Sequence, residues 1–167
     1  MCNNYNNLQY MEELYNKVYA ELEYLPLEAL GSFECNDKTI NNIWDMCAYT
    51  MKLCAREVYI EGAKRDRWLW GGDAYQIFKF SKYLYFDKEI VRRSLIGLRG
   101  KEPFDQHINT ITDYSLYWVI SLWEYYMTYK DTEFIKIIYP KAVSLMNFCK
   151  SRTNEHGFII GKGDDWI

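Results

Sequence analysis

The chain has 167 residues, about one domain, and its 49% hydrophobic content supplies a core and excludes a disordered polymer. Twenty basic against 23 acidic residues leave a net charge of −3, without the basic excess of a nucleic-acid binder. Trp, Tyr and Phe make up 18% of the chain, which fits either an aromatic-rich core or a surface for half-polar ligands such as sugars.

Helical periodicity dominates in chain order. Leu8, Met11, Leu14, Tyr15, Val18 and Leu22 form an amphipathic stripe over residues 1–24, before a Leu-Pro-Leu break. Asn36 or Asp37 is placed to cap a helix carrying Ile40, Ile43, Trp44, Cys47, Met51 and Cys54. The stretch Glu61–Asp73 holds three glycines and resists a helical reading; Ala74–Tyr85 resumes one. Asp87 caps the next helix, with Ile90, Val91, Leu95 and Leu98 on one side and Gly100 beyond its end. Residues Asp113–Lys130 are apolar nearly all round, the pattern of a helix buried on every side, with Asp113 as its cap. Trp118, Trp123, Tyr125 and Tyr126 are assigned to packing. Asp131 opens a short helix, Pro140 begins another, and Gly157–Gly161 reads as a short strand. Residues 1–30 read as an N-terminal segment and 31–167 as one all-α unit. An inner helix walled by outer ones points to a double-layered helical barrel more than to a four-helix bundle.

Cys2, Cys35, Cys47, Cys54 and Cys149 contain no Cys-x-x-Cys pair, and His107 and His156 are far apart. No metal site or cofactor is expected. The cysteines read as small buried hydrophobes, and His107 as a solvent-exposed loop residue. The longest apolar run is about ten residues, where a membrane span needs about 20. The polar start has no secretory pattern, so a reduced, cytoplasmic protein is expected, with neither membrane nor nucleic acid as partner.

Chemistry concentrates in Glu61-Gly62-Ala63-Lys64-Arg65-Asp66-Arg67-Trp68-Leu69-Trp70-Gly71-Gly72-Asp73. A structural ion-pair loop and a binding loop are both consistent with these residue types. Glycosidic cleavage needs a carboxylic acid that keeps its proton near neutral pH, and a second carboxylate acting on water or sugar. Glu61 and Asp73 would favour protonated Asp66 by like-charge repulsion, with Trp68 and Trp70 adding desolvation; Lys64, Arg65 and Arg67 push the other way. Trp70 offers a flat face to sugar C–H groups.

Arg65, Asp66, Arg67, Trp70, Gly72 and Asp73 match, without a gap, a motif that resembles the signature of bacterial α-L-rhamnosidases, glycoside hydrolase family 78. Gly31–Asp37, Asp113–Trp118 and Asp164-Asp165-Trp166 resemble flanking family segments. The resemblance implies roughly the first half of an (α/α)6 six-hairpin barrel. It implies that Asp66 is the general acid of an inverting hydrolase acting on terminal α-L-rhamnose. It places Glu61, Arg65, Trp70 and Asp73 around that sugar, with Asp165 and Trp166 as a further wall. Glu61 stands where relatives usually carry Asp, and Asp66 where many carry Glu. The family's general-base Glu lies downstream of this sequence, so the chain alone is expected to be inactive or nearly so. Rhamnose-containing glycosides are the expected partners, with self-association through exposed barrel faces. A non-catalytic carbohydrate-binding scaffold, or a six-hairpin glycosidase of other specificity, remains open.

Overall fold

A computed structural model describes residues 24–62 and 66–161. Arg65, Asp165 and Trp166, like residues 1–23 of the expected first helix, lie outside them. Five α-helices follow in order: α1 Lys38–Cys54, α2 Gly71–Leu84, α3 Lys88–Gly97, α4 Thr112–Tyr129 and α5 Thr132–Ser151, with a 3-10 turn at Ile108–Thr110. No strand occurs among the described residues.

Carboxylate caps set several starts. Asp37 Oδ1 accepts from Thr39 N at 2.8 Å, and Asp87 Oδ1 accepts from Glu89 N and Ile90 N at 2.9 and 3.0 Å. Asp131 accepts from Phe134 N at 3.1 Å and also receives the Tyr125 hydroxyl at 2.8 Å. These bonds satisfy N–H groups that have no partner within the helix. The Phe134 N–H, then Tyr125, hold the Asp131 carboxyl below its ordinary range.

Two short turns, 85–87 and 130–131, join α2 to α3 and α4 to α5 at one end of the array. There Phe86 packs on Tyr129 with ring centroids 5.2 Å apart, and Arg92 lies over the Phe134 ring at 5.2 Å. The longer connections 55–70 and 98–111 meet at the opposite end, joined by the end of α5 through the Phe104–Phe148 contact at 6.2 Å. Helix α4 is the hub and packs against α2, α3 and α5; α1 is an edge element leaning on α2. The core gathers Phe78, Ile90, Leu95, Trp118, Leu122, Tyr125, Phe134 and Leu145. Tyr59 ties the first long connection into it: its N–H donates to Ser94 Oγ at 2.9 Å, and its hydroxyl lies 2.6 Å from Ser81 Oγ.

Several expectations are corrected. Residues 132–151 form one helix, because buried Phe134, Ile138, Ala142, Leu145 and Cys149 keep helical spacing straight through Pro140. Pro140 is exposed, so the carbonyl that loses its partner there can be hydrated. Residues 157–161 contribute only an isolated Thr153–Ile159 bridge. Asp113 is inside α4 rather than its cap, a place taken by Ile111 without a side-chain bond. Helix α4 is not buried on every side: Ile120, Trp123 and Met127 are exposed, Trp123 at 61%. The α1 stripe is likewise half open, with Met51 and Cys54 buried but Ile40, Ile43 and Cys47 exposed. Cys149 is also buried and Cys35 half-buried, so the cysteines divide between core and surface. His107 is 3% exposed, with Nδ1 at 3.0 Å from Ser115 Oγ and its ring edge-on to Phe148. Arg92, expected on a solvated face, is half-buried against Phe134.

Candidate functional site

On either side of residues 63–65 the motif pairs Glu61 with Trp68 and then leads into α2. Glu61 N donates to Trp68 O at 2.7 Å, and these two residues form an antiparallel bridge. Gly62 and Arg67 take left-handed backbone conformations, with φ of 51° and 50°. Glycine adopts this freely; for Arg67 it is an uncommon conformation for a side-chain-bearing residue, of the kind that gathers at functional loops. Asp66 lies next to Arg67, two residues before Trp68, and is exposed. Trp68 is also 62% exposed, so it does not supply the desolvation expected around Asp66.

Beyond this pair, Trp70 precedes α2 and Asp73 lies in its first turn. Asn109 clamps this junction. Its Oδ1 accepts from Gly71 N at 2.9 Å, and its Nδ2 donates to Leu69 O at 3.3 Å. Asn109 has φ 52°, a conformation asparagine tolerates better than most residues. Tyr114 from α4 packs on the glycine pair: a Cβ on Gly72 would sit 2.4 Å from Tyr114 Cε1, and one on Gly71 3.0 Å from Tyr114 Cβ. The approach leaves no room for a side chain at Gly72, while one at Gly71 would make Tyr114 yield by a few tenths of an ångström. Burial first, then the Asp73 charge, pushes the Tyr114 phenol above its ordinary range.

Among the described residues, two polar atoms around this loop are sealed from solvent without a hydrogen-bond partner, Glu61 Oε2 and Trp70 Nε1. One is an acceptor before residues 63–65, the other a donor after them. Buried polar atoms are nearly always paired, so two orphans at one loop require an explanation.

Of the residues expected at the site, the fold brings the backbone of Glu61 against Trp68, sets Trp70 and Asp73 at the start of α2, and leaves Asp66 exposed ahead of Trp68. Asn109 and Tyr114 were missed as supports. No spacing rule points to Asn109, because its partners are 38 and 40 residues away. Among the described residues no cluster of His, Cys, Asp or Glu could hold a metal ion.

Comparison with known proteins gives a consistent result. Residues 28–167 match the bacterial alpha-L-rhamnosidase 6 hairpin glycosidase domain. An alpha-L-rhamnosidase of Formosa agariphila is 21% identical over 170 residues, which cover 89% of this chain and 18% of that protein. Among solved structures, a rhamnosidase from Klebsiella oxytoca with rhamnose bound superposes with a TM-score of 0.71 at 23% identity, covering 84% of this chain and 30% of that one. A GH78 family rhamnosidase of Bacillus sp. GL1 superposes with a TM-score of 0.76 at 20% identity, covering 86% and 16% respectively. The chain thus spans less than a third of the length of each of these relatives.

Proposed function

The chain belongs to the six-hairpin glycosidase domain family of bacterial α-L-rhamnosidases, and from that premise we propose that it carries the acid half of an inverting α-L-rhamnosidase site. The observation that supports this reading is the orphaned pair, Glu61 Oε2 and Trp70 Nε1, flanking the loop that bears Asp66. In this reading a side-chain rotation opens Glu61 Oε2 and Trp70 Nε1 to the sugar, one hydroxyl then donating to the carboxylate and another accepting the indole N–H. Asp66, exposed ahead of Trp68, then protonates the glycosidic oxygen as the anomeric C–O bond breaks. Water adds to the anomeric carbon from the opposite face, and its proton passes to a base that the resemblance places downstream of this sequence. Arg65, Asp73, Asp165 and Trp166 complete the sugar's surroundings in this reading.

Titration of the chain with L-rhamnose, followed by heat or tryptophan fluorescence, is expected to show weak binding, with D-glucose weaker. Trp70→Ala removes both the N–H and the flat face, and is expected to lower rhamnose affinity about tenfold, the size of one good hydrogen bond or stacking contact. Identical binding by Trp70→Ala would reject this assignment.

Self-association belongs to the same proposal. Ile40, Ile43, Met46 and Tyr49 of α1, and Ile120, Trp123 and Met127 of α4, are exposed at helical spacing, and contiguous apolar surface of that kind drives association. Sedimentation velocity is expected to show species heavier than the monomer, growing with concentration; a monomer throughout would contradict it.

A further inference from the structure

Trp70 stands between two peptide groups that a single side chain holds. Asn109 Oδ1 accepts from Gly71 N at 2.9 Å, and Asn109 Nδ2 donates to Leu69 O at 3.3 Å. We propose that Asn109 is a positioning residue for sugar recognition: by fixing the backbone on both sides of Trp70, it aims the indole at rhamnose without touching the ligand. The inference rests on the reading of Trp70 as a sugar contact.

The start of α2 carries the argument first. Trp70 occupies the cap position of that helix but makes no side-chain cap bond, and the first N–H groups of a helix have no partner within it. Asn109 serves Gly71 N–H instead, so a residue 38 positions downstream sets where the helix begins. An amide suits this bridge because its planar end carries a donor and an acceptor side by side. A carboxylate would keep the bond to Gly71 N but set an anion against the Leu69 carbonyl.

The bridge is itself anchored, and this carries the argument second. Asn109 and Thr110 both take left-handed backbone conformations, with φ of 52° and 64°; for a β-branched threonine that is a genuine outlier. Such conformations persist only where the surroundings over-determine them, and they gather at active sites and ligand clamps. The surroundings here are explicit. Thr110 N donates to His107 O at 2.9 Å, and Ile108 N donates to Ser115 Oγ at 3.1 Å. His107 is buried against Phe148, with ring centroids 5.0 Å apart. Helices α4 and α5 thereby fix the turn, the turn fixes the amide, and the amide fixes the backbone of Trp70. What is left to the indole is rotation about its own side-chain bonds, the motion that opens Nε1 to a hydroxyl.

The test is a double-mutant cycle on the 167-residue chain, read as L-rhamnose affinity by calorimetry. Asn109→Gly tolerates the left-handed backbone and removes both bonds. It is expected to weaken rhamnose binding about five- to tenfold, the scale of one hydrogen bond. In a Trp70→Ala background the same change is expected to matter less than about twofold, because no indole remains to be aimed. Asn109→Asp keeps the bond to Gly71 N and is expected to fall between the parent chain and Asn109→Gly; it carries the cycle if the glycine variant loses helical content by circular dichroism. A second readout needs no ligand. In fluorotryptophan-labelled protein, the fluorine resonance of Trp70, identified by its loss in Trp70→Phe, is expected to shift or broaden in the Asn109 variants. Full rhamnose affinity in those variants, an equal loss in both backgrounds, or an unmoved Trp70 resonance would each overturn the assignment and leave the acid-half reading intact. If rhamnose fails to bind the parent chain, the acid-half reading falls and this inference with it.

Discussion

Trp118→Ala is expected to cost about 3–5 kcal/mol of folding stability, the range for deleting a large buried aromatic. Trp118 is 1% exposed on α4, the hub helix, and its Nε1–H donates to Leu95 O at 2.9 Å. Leu95 lies in the last turn of α3, where carbonyls have no partner within the helix, so the indole acts as a side-chain cap on a buried helix end. The alanine variant leaves a cavity and an unpaired buried carbonyl together. Trp118→Phe keeps much of the volume but still orphans that carbonyl, and is expected to cost about 1–3 kcal/mol. Since a domain of this size has about 5–15 kcal/mol in total, the alanine change removes a large share of it. Urea unfolding followed by far-UV circular dichroism measures both; a loss under about 1 kcal/mol for Trp118→Ala would mean that α4 is not the organising helix.

The second large effect concerns Asp66. Asp66→Asn is expected to lower hydrolysis of a rhamnosyl disaccharide about 10²- to 10⁴-fold, the usual contribution of a general acid, once the downstream part of a relative is added to complete the site. The size of the loss should depend on the leaving group. A p-nitrophenolate departs readily without protonation, whereas a sugar alkoxide does not, so p-nitrophenyl α-L-rhamnopyranoside should suffer much less from the same change. That contrast distinguishes an acid from a residue that merely holds the substrate, which would affect both substrates alike. Rates that are indifferent to Asp66→Asn would favour the non-catalytic scaffold reading instead.

Much of the architecture was legible in the residues, and the reasons are local. Asp37, Asp87 and Asp131 each precede an apolar-periodic run and cap it, because an aspartate oxygen reaches backbone N–H groups two or three positions ahead. The motif at Arg65–Asp73 was recognisable because its residue types and spacing are chemically unusual. Failures arose where a local rule met a nonlocal partner. Pro140 looked like a helix start, yet core positions on either side hold one helix through it. His107 looked like a loop residue in water, yet Ser115 and Phe148 bury it. Trp123 looked like core because Asp113–Lys130 reads as apolar nearly all round, yet it is 61% exposed.

What the sequence determined by itself was the helical class, most of the helix starts and the identity of the chemically loaded loop, since all three depend on contacts between residues close in the chain. Only the tertiary structure decided which face of each helix is covered. It alone set Asn109 and Tyr114 against Gly71 and Gly72, and it alone left Glu61 and Trp70 each with a sealed polar atom. The physical reason is that burial and polar satisfaction are properties of neighbours tens of residues apart. Periodicity says that a side chain prefers to be buried; only packing says whether anything is there to bury it.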